Sequence, residues 1–131
     1  METPTYKIGQ FYWADLTVEN PSAVKEFYKQ VVGWQDVPVP MNDAQGAYED
    51  YIMAIDNQTV GGGLCHRRGV NSQIPPQWIM YVQVADVQQS LENVLQYGGS
   101  LVQESRKADG SLYYVIVKDP LGCVFGLGKM E

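Results

Sequence analysis

The pattern of apolar and polar residues repeats once along the chain. A strand-like run followed by a helix-like run occupies residues 11–33, and the same order returns about 66 residues later at 78–99, with Ile79 in the place of Trp13. A repeat of fixed period is typical of supersecondary units that cannot bury their apolar faces alone. We therefore expect two modules that pack together around a shared interior.

Local signals set the bounds of two helices. Asn20 precedes a proline, a combination favoured at a helix start, and Gly33 supplies a left-handed end, which predicts a helix over 21–32. In the second copy Asp86 caps a helix that extends to Tyr97.

Strand-like segments occupy much of the remaining chain. Each is short, rich in apolar residues and bounded by turn residues such as Asp56-Asn57 and Asp109-Gly110. They are expected at 37–40, 48–55, 59–65, 100–106, 112–118 and 123–128. Each module thus contains a strand, a helix and three more strands, which predicts an α+β fold of two tandem βαβββ modules. The modules are expected at about 6–66 and 78–128, joined by a glycine- and proline-containing linker over 67–77.

Length and composition predict one domain spanning 1–131, because 131 residues with 45% hydrophobic content can bury a core without staples. A formal charge of −6 argues against nucleic acid as a partner. No apolar run is long enough to span a membrane, and residues 1–4 show no leader pattern, so we expect a cytoplasmic protein without a membrane partner. Cys65 and Cys123 lack metal-ligand spacing; reduced, packed thiols are favoured, and a disulfide stays open.

Several short motifs occur in a characteristic order. The chain resembles the vicinal oxygen chelate superfamily, which contains glyoxalase I, extradiol dioxygenases, and fosfomycin and bleomycin resistance proteins. The resemblance implies paired βαβββ modules whose curled sheets surround a central cavity, and it is strongest to the small glyoxalase-like and bleomycin-resistance-like members. The motifs that carry it are Asn20-Pro21, Phe27-Tyr28, Gly33-Trp34, Trp78 with Tyr81 and Val84, Asp86-Val87, Asp119-Pro120-Leu121-Gly122 and Phe125-Gly126-Leu127.

The metal site of the superfamily's enzymes lacks its ligands in this chain. By the resemblance, the ligand positions correspond to Trp13, Gly63, Ile79 and Gly126. None of these side chains can coordinate a divalent ion, and the chain has a single histidine. We therefore expect neither a metal nor another cofactor. A site made only of carboxylates, from Asp15, Glu49 and Asp50, stays open as a less favoured alternative.

Strand alternation predicts which side chains line the cavity, because residues two apart share a face. Leu16 and Val18 are expected to face the helix layer, and Trp13 and Asp15 the cavity. Apolar walls with a few orienting polar groups are typical of a small-molecule site, although ordinary core packing is the alternative for each aromatic residue. The predicted ligand-binding residues are Phe11, Trp13, Asp15, Tyr51, Met53, Ile79, Tyr81, Gln83 and Tyr113.

Asp15 is the candidate for a chemical role, because an unpaired carboxylate on an inward face is costly to bury. It could pair with a cationic or hydroxylated ligand or act as a general base; alternatively it hydrogen-bonds nearby tyrosines or is exposed at the mouth of the cavity. His66 is expected at the surface. The glycines at 61–63 are expected to bend a strand, since no helix follows them to form a phosphate site.

Three functions remain open. We favour a metal-independent protein that binds a small aromatic or cationic molecule between its modules. The alternatives are an enzyme, either a lyase or isomerase of glyoxalase type or a dioxygenase relative, and an accessory module with a filled core. We also expect a homodimer, the commonest symmetric assembly.

Overall fold

The computed structural model describes residues 5–130, except for the side chain of Val70. Residues 1–4, in which the sequence shows no leader pattern, lie outside this range. The chain divides into two compact units. The first unit contains residues 14–78, and the second contains residues 5–13 and 79–130.

The order of elements confirms the α+β class and the two βαβββ modules. Both predicted helices and all predicted strands are present, with bounds that differ by a few residues. In chain order the elements are β1 (Phe11–Val18), α1 (Pro21–Val32), β2 (Gln35–Asp43), β3 (Gly46–Ala54), β4 (Val60–His66), a 3-10 turn (Gly69–Asn71), β5 (Trp78–Gln83), α2 (Val87–Gln96), β6 (Ser100–Arg106), β7 (Leu112–Lys118) and β8 (Val124–Gly128). Over the described range, neither helix is long and apolar enough to cross a membrane.

The first unit has the strand order β2-β3-β4-β1, with β1 parallel to β4 and the other pairs antiparallel. Its core lies between the strands and α1, where Leu16, Met53 and Leu64 form a buried cluster against Val24 and Tyr28 of the helix. One face of these strands is therefore covered by α1. The opposite face carries the polar residues considered below.

The predicted start and end of α1 are confirmed by their hydrogen bonds and dihedral angles. The side chain of Asn20 accepts a hydrogen bond from the backbone N–H of Ala23 at 3.2 Å, and Gly33 takes a left-handed conformation with φ of 88°. The glycine run of β4 also has a packing reason. The register shifts beside Gly61, and a Cβ there would lie 2.7 Å from Nε1 of Trp34.

The second unit has the strand order β5-β8-β7-β6, with β5 parallel to β8 and the other pairs antiparallel. Helix α2 covers one face: Val87 and Leu91 pack against Val115, Val117 and Leu127. Asp86 caps this helix by accepting from the N–H of Gln89 at 3.1 Å, as the sequence predicts.

A tyrosine ring occupies the other face of β5 and β8. Tyr81 pairs with Gly126 in the parallel ladder, and its ring lies directly over that glycine, where a Cβ would overlap it. The ring also meets Tyr114 edge to face, with centroids 5.7 Å apart. The absence of a side chain at 126 is therefore what admits Tyr81 at this position.

We expect Gly126→Ala to destabilise the protein by about 1–3 kcal/mol, because Tyr81 must leave its position. Chemical denaturation measures the effect, and a double-mutant cycle assigns it. In a Tyr81→Ala background the cost of Gly126→Ala should largely disappear. An equal cost in both backgrounds would show that Tyr81 is not the cause.

An ion-pair network joins α1 to β2. Asp36 lies 2.9 Å from Nζ of Lys29 and 3.1 Å from Nζ of Lys25. The hydrogen bonds from these lysines, Lys29 first, lower the pKa of Asp36 to about 2. Because the folded-state pKa lies below the unfolded value, the pair stabilises the fold above about pH 4, and this contribution is lost as the pH falls toward 2.

Asp36→Asn should therefore lower the free energy of unfolding by up to about 1 kcal/mol at pH 7, the range for partly exposed pairs. The difference from the unmodified protein should shrink as the pH falls from 4 to 2. Urea unfolding at several pH values tests this, and a difference independent of pH would contradict it.

Candidate functional site

The face of the first unit opposite α1 carries two carboxylates and a thiol. In the β1–β4 ladder Leu16 pairs with Leu64 in the helix-facing core, so the neighbouring Asp15 and Cys65 belong to the other face. Burial, with the charges of Asp15 and Asp50, raises the pKa of the Cys65 thiol. Both carboxylates therefore lie within electrostatic reach of this thiol, which stays protonated and unreactive.

Asp50 binds His66 through two contacts. Asp50 is buried, with 8% of its surface exposed, and its Oδ1 accepts the backbone N–H of His66 at 2.9 Å. The same oxygen lies 3.2 Å from Nδ1 of the imidazole, whose side chain is 20% exposed. His66 was expected at the surface; its side chain keeps 20% of its area exposed, and β4 ends beside a carboxylate that binds both its backbone and its ring.

Tyr48 packs against the imidazole and is itself held by an ion pair. The rings of Tyr48 and His66 meet edge to face with centroids 5.3 Å apart. The guanidinium of Arg68 lies 4.0 Å from the centroid of the Tyr48 ring, and Arg68 binds both oxygens of Asp43, at 2.6 and 2.7 Å. Burial, with the charges of Asp50 and Asp43, raises the pKa of Tyr48, so its hydroxyl remains a hydrogen-bond donor. We call Asp15, Tyr48, Asp50 and Cys65 the polar face; the ring of His66, at the end of β4, contacts it at Tyr48 and Asp50.

Tyr51 and Met53 were expected to line the cavity with Asp15, and the structure places them on the opposite side. The Tyr51 hydroxyl lies 3.0 Å from Oγ of Ser22 in α1, and Nζ of Lys25 lies 4.3 Å from its ring centroid. Met53 is completely buried in the core beneath the helix. The reason is register: Tyr51 pairs with Leu64, so these residues of β3 share the helix-facing side.

Six other predicted residues belong to the second unit. Ile79 and Tyr81 are buried on the face of β5 opposite α2. Gln83 is buried too, and its amide binds the backbone of Met130: Nε2 donates to the carbonyl at 2.9 Å and Oε1 accepts the N–H at 2.8 Å. Gln83 therefore anchors the last described residue of the chain.

The remaining three predicted residues differ in exposure. Phe11 is 56% exposed and Trp13 is half-buried. Tyr113 is 48% exposed, and the β7 tyrosine that contacts Tyr81 is Tyr114. The predicted orientation of β7 was therefore wrong by one residue. Val115 belongs to the core beneath α2, so its neighbour Tyr114 faces the other way.

The residues at the superfamily's ligand positions do not fit a metal ion. Trp13, Gly63, Ile79 and Gly126 offer no donor atom from a side chain, and the ring of Tyr81 covers Gly126. Among residues 5–130, no three His, Cys, Asp or Glu side chains are grouped so as to hold a metal. Asp15, Glu49 and Asp50 therefore do not form the carboxylate site left open above. Glu49 is exposed, and it neighbours Asp50 on a strand, where successive side chains point to opposite faces.

The cysteines are free thiols, as favoured from the sequence. Cys65 is half-buried, whereas Cys123 is exposed rather than packed. Cys123 follows the β7–β8 turn, where the side chain of Asp119 accepts the backbone N–H groups of Leu121 and Cys123 at 2.9 and 3.0 Å. The turn thus fixes the Cys123 backbone and leaves its side chain outside the core.

Comparison with known proteins identifies the family. Residues 13–127 match the family described as "Glyoxalase-like domain". The protein named "Putative glyoxylase CFP32" in Mycobacterium bovis and in Mycobacterium tuberculosis is 30% identical over 125 residues. The match covers 93% of this chain and 46% of each relative, so the chain spans about half the length of these curated relatives.

Solved structures show the same fold. Methylmalonyl-CoA epimerase from Mycobacterium tuberculosis superposes with a TM-score of 0.56 and 15% identity, covering 94% of this chain and 88% of that one. The Streptomyces coelicolor epimerase in complex with 2-nitronate-propionyl-CoA gives 0.56 and 12% identity, covering 95% and 100%. At these identities the likeness concerns the fold alone. With the family match extending over most of its length, the chain belongs to the glyoxalase-like domain family of the vicinal oxygen chelate superfamily.

Proposed function

We propose that the protein binds a small aromatic cation at the polar face of the first unit, without a metal at the superfamily's ligand positions. The observation that carries the proposal is the shared face of Asp15 and Asp50: each carboxylate adjoins a residue, Leu16 or Tyr51, that packs on the α1 side of its strand. Two acids on one face favour a positive ligand. Each carboxylate makes ionisation of the other less favourable, and a bound cation offsets this repulsion.

Charge and shape both support this choice of ligand. The chain carries a formal charge of −6, which favours the approach of cations over anions. The fold also holds a small ligand in the Streptomyces coelicolor epimerase complex, which supports a small molecule rather than a polymer as the partner.

An enzyme of glyoxalase type is the second candidate. The contact between Asp50 and His66 favours it, because a carboxylate that orients an imidazole is a common acid–base arrangement. The name of the mycobacterial relatives points in the same direction. Substitution of Asp15 separates the candidates: in an enzyme it lowers turnover more than binding, and in a binding protein only binding changes.

Asp15→Asn should weaken the binding of an aromatic ammonium ion by about 1.5–3 kcal/mol, the range for a hydrogen bond to a charged group. A thermal-shift screen of aromatic amines and quaternary ammonium ions identifies a binder, because a ligand of the folded state raises the melting temperature. Calorimetry then compares the affinities of the unmodified protein and of each variant for this binder. Glu49→Gln is the matched control, since it removes an exposed carboxylate outside the polar face and should leave affinity unchanged.

Stability distinguishes a ligand-binding Asp15 from a structural one. Asp15→Asn keeps the size of the side chain and should leave the protein folded. Unchanged affinity together with an unfolded protein would make Asp15 structural and remove the basis of the proposal. An accessory module would bind none of these cations.

We also propose that the protein is a homodimer in the cytosol. Helix α1 exposes Phe27 and Val31, one turn apart, and a second copy could cover this apolar surface. A reducing compartment suits the two free thiols. Sedimentation at micromolar concentration should give twice the 14.7 kDa mass of the chain, whereas a species of 14.7 kDa would refute the dimer.

A further inference from the structure

We propose that a pocket between the end of α2 and the β7–β8 turn receives Leu121 of a second copy of the chain, in a two-fold contact that each copy makes with the other. This inference rests on the proposed homodimer and names one of its contacts, in the second unit. It arises from the two most exposed large apolar side chains among the described residues, Leu121 with 91% of its surface exposed and Tyr97 with 74%.

Tyr97 belongs to the wall of the pocket. The lining includes the apolar residues Val94, Tyr97, Pro120 and Phe125 and two residues of opposite charge, Lys118 and Asp119. The pocket is open to solvent and has a volume of about 110 Å³. Because a cavity of about 150 Å³ holds a benzene molecule, this pocket suits a smaller apolar group such as the side chain of leucine.

Leu121 stands beside this pocket without filling it. The β7–β8 turn lies against the end of α2, where a Cβ at Gly98 would be 3.6 Å from Cγ of Pro120, and Leu121 is the next residue along the turn. A surface that carries a protruding side chain next to a pocket can be complementary to itself. A two-fold axis then places the leucine of each copy over the pocket of the other.

The turn holds Leu121 in a fixed position. The side chain of Asp119 accepts the backbone N–H groups of Leu121 and Cys123 at 2.9 and 3.0 Å. Across the turn, the N–H of Asp119 donates to the carbonyl of Cys123 at 2.8 Å, and the N–H of Gly122 donates to the carbonyl of Asp119 at 3.0 Å. A side chain presented by a backbone that is already ordered loses less conformational freedom on association, which favours binding.

The charges beside the pocket favour a second copy as its occupant. Hydrogen bonds from the N–H groups of Cys123 and Leu121 lower the pKa of Asp119, so its carboxylate is ionised at neutral pH. Lys118 precedes it and is exposed. Two copies with a formal charge of −6 each repel one another overall, whereas this patch carries one charge of each sign. The two-fold axis brings the ammonium of each copy toward the carboxylate of the other.

Leu121→Glu should raise the dissociation constant of the dimer about hundredfold. Burial of one leucine contributes about tenfold to an equilibrium constant, and a two-fold contact contains two. Sedimentation over a range of concentrations measures the change. Ile55→Glu is the matched control, since it makes the same replacement of an exposed apolar side chain, 54% exposed, in the first unit. It should leave the dissociation constant unchanged, and an equal effect of the two variants would overturn the inference.

Cys123 provides a second measurement, which needs no change in stability. It is exposed and lies two residues from Leu121, whereas burial raises the pKa of the Cys65 thiol and keeps it unreactive. A short bis-maleimide should therefore link two copies of the unmodified protein through Cys123. Cys123→Ser should abolish the covalent dimer, and Leu121→Glu should greatly reduce its yield.

These results separate the contact from the homodimer itself. If the protein sediments as a dimer but gives no covalent dimer, or if the dimer persists in Leu121→Glu, the copies meet through another surface; the homodimer stands and the role of Leu121 is refuted. A species of 14.7 kDa refutes both. If a monomeric protein instead binds benzyl alcohol with shifts of the Tyr97 and Gly99 amide signals, the pocket serves a small molecule and the inference is overturned. Should Leu121→Glu fail to fold, cross-linking of the unmodified protein still decides.

Discussion

The parallel pairing of β1 with β4 determines the rest of the first unit. Because Leu16 lies beside Leu64 beneath α1, the alternation of both strands sends Asp15 and Cys65 to the other side. A shift of one residue in this pairing would place the carboxylate under the helix and Leu16 on the polar face. The apolar core beneath α1 therefore fixes the position of the charged groups.

Asp50 connects this framework to the chemistry. The pairing of β3 with β4 extends from Tyr51 and Leu64 toward the glycines. Beyond it, the side chain of Asp50 accepts the N–H of His66 in place of a backbone carbonyl. One carboxylate thus extends the strand pairing and orients an imidazole. Asp50 can be almost completely buried because it accepts hydrogen bonds from both the backbone and the ring of His66. These bonds replace the ones that its carboxylate would make to water.

Much of the fold could be predicted from the sequence because its signals are local. The caps at Asn20 and Asp86 and the repeated order of elements need no knowledge of distant residues. Which alternating set of side chains on β3 and β7 faces the helix could not be predicted in this way. A strand such as Tyr48–Ile55 has apolar and aromatic residues at both alternating sets of positions, so only its partners decide which set faces the helix.

The candidate site was predicted least well, for a related reason. Asp15 could be placed because Leu16 and Val18 identify the face of their strand. His66 and Tyr48 could not be joined from the sequence, since their contact depends on where β4 ends relative to β3. The one available signal was the spacing of Tyr48 and Asp50, which are two residues apart and so share a face of their strand. Interpreting it required knowledge of the neighbouring strand.

The Tyr81 ring over Gly126 constrains any attempt to build a metal centre in this protein. Introducing a histidine or glutamate at 126 would bring its side chain into the volume of the tyrosine, so a single replacement at this position cannot yield a ligand. Residue 81 must become smaller first, which opens a hole beside Tyr114 and costs stability before any ion is bound. A metal ligand at residue 126 therefore requires residue 81 to be replaced first, and that first replacement lowers the stability of the protein.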